Sequence, residues 1–111
     1  MTTLLVIEDD DATRTFLADN LTADGFEVFE AGTARDALRL MEREAPDLAI
    51  VDVGLPDLSG LDLVQAVRDS DGLDRRLDPT LPVIVVRGRG GELDRLRGLQ
   101  RGADDYVAKP L

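Results

Sequence analysis

Three short runs of apolar residues, Leu4 to Ile7, Leu48 to Val51 and Pro82 to Val86, are separated by stretches in which apolar residues recur at helical spacing. A strand with water on one face alternates polar and apolar residues. A run that is apolar at every position is therefore a strand covered on both faces, the situation crossover helices create in a parallel sheet. The first run opens into Glu8, Asp9, Asp10 and Asp11, after which Phe16, Leu17 and Leu21 keep helical period until Gly25, a helix stop. Phe26 to Ala31 reads as a second strand with two interleaved acids. Thr33 is placed to cap a second helix whose Ala37, Leu38, Met41 and Ala45 share a stripe, and Pro46 ends it. The third strand closes on Asp52. Gly54 to Gly60 is turn chemistry before a third helix carrying Leu61, Val64 and Val67. After the fourth strand, a loop with Gly88, Gly90 and Gly91 leads to a short helix with Leu93, Leu96 and Leu99, and Tyr106 and Val107 form a fifth strand.

The pattern predicts an α/β fold, an open, doubly wound, five-stranded parallel sheet forming one domain over residues 1–111. Asp69 to Leu81 is polar and longer than the usual helix-to-strand connection, and is expected to be mobile or to hold an extra helical turn. The sequence ends just after the fifth strand, so a last covering helix is expected to be missing from this chain.

Composition narrows the chemistry. With no cysteine and no histidine, disulfides, thiolate or imidazole metal sites, and histidine-dependent triads are excluded. The net charge is -10, yet residues 1–74 hold 18 acids and 5 bases while residues 75–111 hold 5 acids and 8 bases. The overall field disfavours direct nucleic-acid binding and leaves a local basic face near the end. No apolar run approaches a membrane span and the start is no signal peptide, so a cytoplasmic location without membrane contact is expected. Twelve of the thirteen cations are arginine, which singles out Lys109 as a compact point charge.

In open α/β sheets ligands bind outside the carboxyl ends of the strands, at the point where strand order reverses. Glu8 and Asp9 follow the first strand, Asp52 the third, Arg87 the fourth and Lys109 the fifth. Carboxylates converging in one cleft repel one another unless a cation joins them, and an all-oxygen donor set suits Mg²⁺. A carboxylate beside Mg²⁺ and a lysine is suited to accept a phosphoryl group. Each residue alone is ordinary. Asp10 and Asp11 read as helix caps, Lys-Pro after a strand is unremarkable, and Tyr106 alone would be a core aromatic. The weight rests on their joint occurrence at successive strand ends.

Three segments together resemble the receiver domain of two-component response regulators, closest to those of winged-helix DNA-binding regulators. They are Leu-Leu-Val-Ile-Glu-Asp-Asp from Leu4, Asp-Leu-Ala-Ile-Val-Asp-Val-Gly-Leu-Pro-Asp-Leu-Ser-Gly from Asp47, and Gly-Ala-Asp-Asp-Tyr-Val-Ala-Lys-Pro from Gly102. The resemblance implies a flavodoxin-like (βα)5 fold of strand order 2-1-3-4-5, here truncated before its fifth helix. It implies a phosphoacceptor signalling domain rather than an enzyme, with Asp52 accepting a phosphoryl group from a sensor histidine kinase or phosphotransfer protein. It further implies Mg²⁺ held by Glu8, Asp9, Asp52 and the Gly54 backbone carbonyl, Lys109 on the phosphoryl group, Tyr106 as the aromatic switch, and Pro110 after a cis bond. The partners it implies are a C-terminal output domain such as a transcriptional regulator, and a second copy met through the fourth helix and fifth strand. Arg95, Arg97, Arg101, Asp104 and Asp105 are candidates for ion pairs across that contact.

One position departs from the pattern. The family carries Ser or Thr where Arg87 stands, and a long, forked, permanent cation cannot imitate a small hydroxyl. Arg87 could clamp the phosphoryl group, pair with Asp52 beforehand, or turn to solvent. Retained phosphorylation with an altered switch is the expectation, and the alternative is a pseudo-receiver, an interaction module that signals without phosphorylation. Other rivals fail on spacing. Haloacid dehalogenase-type phosphatases require a second Asp where Gly54 stands, and Arg-Gly-Arg-Gly-Gly at Arg87 is neither G-x-G-x-x-G nor a Gly-Lys-Ser/Thr loop.

Overall fold

Each apolar run forms a strand. The computed structural model describes residues 1–70, 77–87, 99–100 and 102–108, with the backbone alone for Arg87, Tyr106 and Ala108. Its elements in chain order are β1 (Thr3–Ile7), α1 (Asp11–Ala23), β2 (Glu27–Ala31), α2 (Ala34–Glu44), β3 (Leu48–Asp52), α3 (Gly60–Asp69), β4 (Val83–Arg87) and β5 (Asp105–Ala108). All strand pairs are parallel, in the order β2-β1-β3-β4-β5. This is the expected doubly wound sheet. The chain leaves β1 to form β2 on one side and then crosses to β3 on the other, so the strand order reverses between β1 and β3.

The two faces of the sheet are covered unequally. Leu5, Ile7, Val51, Val83 and Val85 pack with Ala37 and Met41 of α2 and Leu63, Val64 and Val67 of α3 into one core. Successive strand residues point to opposite faces, so Leu4 and Val6 belong to the other side, with Ala18 as the buried residue of α1. There Val6, Ile50 and Ile84 stand in one row of the register, and burial falls along it from fully buried Val6 to half-buried Ile50 and Ile84.

Some details differ from the periodicity. Phe16 lies on the outer side of α1 and is 59% exposed. Ala45 is not part of the buried stripe of α2; it is the exposed C-cap, in the left-handed conformation at φ 44°. Leu63 rather than Leu61 is the innermost leucine of α3. Within the long connection, Leu77 and Leu81 are buried in the core, and Asp78 Oδ1 accepts from Thr80 N and Oγ1 at 2.8 and 2.6 Å. The expected extra turn or mobile stretch at residues 71–76 lies outside the described residues, as does most of the helix expected around Leu93 and Leu96.

At the amino edge of the sheet, Arg68 at the end of α3 holds the chain entering two strands. Its Nε donates to Gly102 O (2.8 Å), Nη1 to Pro79 O and Leu81 O (3.1 and 2.6 Å), and Nη2 to Asp104 Oδ2 (2.9 Å). The same Asp104 oxygen accepts from Val83 N at 2.7 Å. A guanidinium has the five donors and fixed fork needed to satisfy several carbonyls at once. Asp104, considered above for a contact between copies, is thus engaged within its own chain.

Candidate functional site

The parallel register places the acidic residues together. Ile7 pairs with Val51, so the next residue on each strand, Glu8 and Asp52, emerges on adjacent chains at the carboxyl edge. Glu8 N also donates to Ala31 O (2.9 Å), which continues the β1–β2 ladder one residue beyond the strand. Glu8 is 2% exposed, Asp52 9%, and Asp9 faces solvent. Carboxylate oxygens of these three residues lie within 4.8 Å of one another. At that separation two charges repel by about 3 kcal/mol at an effective dielectric near 20. A cation that bridges them removes that repulsion. The donors are all oxygen, two of them buried and one open to water, which suits a hard cation that keeps part of its hydration shell.

The adjoining acids have other roles. Asp10 caps α1, its Oδ2 accepting from Thr13 N (2.9 Å) and Thr13 Oγ1 (2.6 Å), and Asp11 in the first turn pairs with Arg14 at 2.6 Å. Asp10 matches the capping role expected for it; Asp11 does not cap but lies one residue inside the helix, where an acid in the first turn complements the helix dipole.

Asp52 is held from behind. Val53 N donates to Val86 O (3.2 Å), and Gly60 N, opening α3, donates back to Val53 O (2.8 Å). The chain from Val53 to Ser59 therefore makes a closed loop over the carboxyl edge, with exposed Gly54 beside Asp52. Asp57 fastens this loop to a different helix, its two carboxylate oxygens accepting from Ala34 N (2.9 Å) and Arg35 N (3.0 Å) at the start of α2. Those two donors, Ala34 first and Arg35 next, hold the Asp57 carboxyl below its ordinary value of 3.8.

A lowered carboxyl pKa in the folded state adds stability that is full above the unfolded value and is lost as pH falls through the folded one. Asp57→Ala is therefore expected to lower the urea midpoint at neutral pH. The gap between variant and parent should close as the titration is taken below the ordinary Asp range. An unchanging gap across that range would mean that the Asp57 charge plays no part.

Of the other expected site residues, Arg87 ends β4 and pairs in register with Ala108, the residue before Lys109. Tyr106 sits in β5 opposite Val85. The Arg87 and Tyr106 side chains, Lys109 and Pro110 lie outside the described residues. The residues missed from sequence are Arg14, Asp57 and Gly60. Asp57 stood within a turn motif and Arg14 within an amphipathic helix, and their contacts span 22 or 23 residues for Asp57 and 6 for Arg14.

No helix among the described residues is long and apolar enough to cross a membrane. A family model for the response regulator receiver domain matches residues 4–111. The chain is 41% identical over 111 residues to the KDP operon transcriptional regulatory protein KdpE of Escherichia coli, covering 100% of this chain and 46% of that protein. It is 44% identical over 109 residues to the phosphate regulon transcriptional regulatory protein PhoB of Rhizobium meliloti, covering 97% of this chain and 45% of that protein. The chain thus spans about half the length of these relatives. Among solved structures, a CheY-like response regulator receiver domain protein from Methanospirillum hungatei superposes with a TM-score of 0.86 at 31% identity, covering 100% of this chain and 83% of that one. A Burkholderia pseudomallei response regulator, solved with a phosphorylated aspartic acid, calcium ion and citrate, gives a TM-score of 0.86 at 30% identity, covering 100% of this chain and 61% of that one.

Proposed function

The chain belongs to the response regulator receiver domain family, and from that premise we propose that it accepts a phosphoryl group on Asp52 and passes the signal to an output domain. The observation that carries this reading is the convergence of Glu8, Asp9 and Asp52 within 4.8 Å at the carboxyl edge, where the strand order reverses. A carboxylate oxygen of Asp52 attacks the phosphorus of a phosphohistidine donor. The bond from phosphorus to the donor nitrogen breaks, its electron pair leaves with the imidazole, and an aspartyl phosphate remains. Glu8, Asp9 and Asp52, with the backbone carbonyl of exposed Gly54, would hold Mg²⁺, which would offset the charge that develops on the phosphoryl oxygens. Lys109 follows the strand next to β4 and takes the remaining phosphoryl charge.

The relatives are transcriptional regulators about twice the length of this chain, which supports a cytoplasmic protein with a DNA-binding output domain after the receiver. A homodimer through the fourth helix and β5 fits the same reading. Ile50 and Ile84, half-buried on the same sheet face as Val6, support a further helix seated on that face. The domain signals rather than turning over a substrate, although it assists its own phosphorylation. Arg87 alters how phosphorylation is coupled to the Tyr106 switch. Neither the relatives nor the described residues support the pseudo-receiver alternative, since the acidic cluster is complete.

The test is incubation with a small-molecule phosphodonor and Mg²⁺, read by intact mass. A gain of one phosphoryl group is expected, and chelating the Mg²⁺ beforehand should remove it. A folded sample that binds Mg²⁺ and gains no mass would overturn the reading.

A further inference from the structure

Arg14 lies on α1, outside the acidic cluster, yet its side chain is only 19% exposed and its guanidinium is fully engaged. Nη1 donates to the backbone carbonyl of Glu8 (2.9 Å), Nη2 pairs with Asp11 (2.6 Å), and Nε faces Glu30 of β2 at 3.5 Å. Room for it comes from Gly32, where a Cβ would stand 3.2 Å from Nη1 and 3.9 Å from Glu8 O. One fork thus ties together β2, the start of α1 and the main chain of the residue whose carboxylate is buried beside Asp52.

Resting on the reading of the acidic cluster given above, we infer that Arg14 is a positioning residue for the metal site. It fixes the Glu8 peptide, and through it the direction in which Glu8 and Asp9 present their oxygens to Asp52. The carbonyl of Glu8 heads the loop that carries Asp9, so releasing it frees both carboxylates to move apart under their own repulsion. Partners in the shell around metal ligands act this way by holding ligand geometry.

The sign of the effect distinguishes positioning from charge. If Arg14 acted only as a nearby cation, its removal would deepen the negative potential of the cluster and tighten Mg²⁺ binding. As a positioning residue, its removal weakens binding.

The experiment measures Mg²⁺ binding by isothermal titration calorimetry for the parent, Arg14→Met and Arg14→Lys, with circular dichroism to establish folding. Arg14→Met keeps the length of the side chain and removes its donors. Its dissociation constant is expected to rise about tenfold, with part of the loss recovered in Arg14→Lys. Unchanged or tighter binding in folded Arg14→Met would overturn the inference. Should that variant not fold, Gly32→Val, whose branched side chain would occupy the space that Nη1 takes 3.2 Å from a Cβ there, displaces the guanidinium while leaving its charge in place. It is expected to weaken Mg²⁺ in the same direction, and parental affinity in folded Gly32→Val would overturn the inference. The parent itself tests the underlying site: no Mg²⁺ binding there would overturn the reading of the cluster, whereas the ratio of variant to parent tests Arg14 alone.

Discussion

Asp52→Asn is expected to take up no phosphoryl group under conditions in which the parent is labelled. Asparagine keeps the size of the side chain and its carbonyl acceptor, and Asp52 is 9% exposed at the end of a strand paired on both sides, so the fold should persist. What is lost is chemistry. An amide oxygen carries no negative charge to attack phosphorus, and one of the three acids of the proposed cation site is gone. Intact mass with circular dichroism on the same samples checks both halves. Labelling of the variant to the parental extent would move the acceptor to Glu8 or Asp9, the other two acids of the cluster. A loss of fold would instead show that Asp52 is chiefly structural.

The second large effect is expected at Gly60. A Cβ built there would overlap the backbone carbonyl oxygen of Asp52 and stand 2.9 Å from both Asp52 C and Val51 Cγ1. Two of these atoms are main chain in a central strand and have no rotamer by which to yield. Gly60→Ala must therefore push α3 away from β3. Overpacking of this kind costs about 3 kcal/mol, which for a domain of this size lowers Tm by about 10 °C. The atom displaced belongs to Asp52, the proposed phosphoacceptor, so weaker Mg²⁺ binding should accompany the lower Tm. Thermal unfolding and Mg²⁺ titration of the same variant measure both. A Tm within a degree or two of the parent would mean that the helix can shift at little cost.

Gly60 also shows how far the sequence could be read. Buried strands were legible because β1, β3 and β4 are apolar without interruption, and the caps at Asp10 and Thr33 because a cap acts within three residues. The meeting of Glu8, Asp9 and Asp52 followed from placing acids at the ends of adjacent parallel strands. The reason Gly60 must be glycine was not legible. Its φ is unexceptional, and the obstacle is a carbonyl brought close by tertiary packing. Asp57 and Arg68 escaped for a related cause: a side chain that donates to or accepts from main chain carries no mark of its partner in composition or periodicity. Their partners lie 22 to 23 and 11 to 36 residues away. Phe16 shows the converse error, since helical spacing identified a helix and not which of its apolar residues would be covered.

The grip of Arg68 on Gly102, Pro79, Leu81 and Asp104 stands at the opposite edge of the sheet from the acidic cluster. Inactivating alleles should therefore fall into two phenotypic groups. Those that change only the carboxylates of Glu8, Asp9 or Asp52 would leave normal amounts of protein in which the proposed phosphorylation fails, and a second wild-type copy would have to compete with them for the phosphodonor. Those that break the Arg68 grip would lower the steady-state level of the protein while each surviving molecule keeps the proposed phosphorylation, a defect that raised expression or a lower growth temperature should relieve.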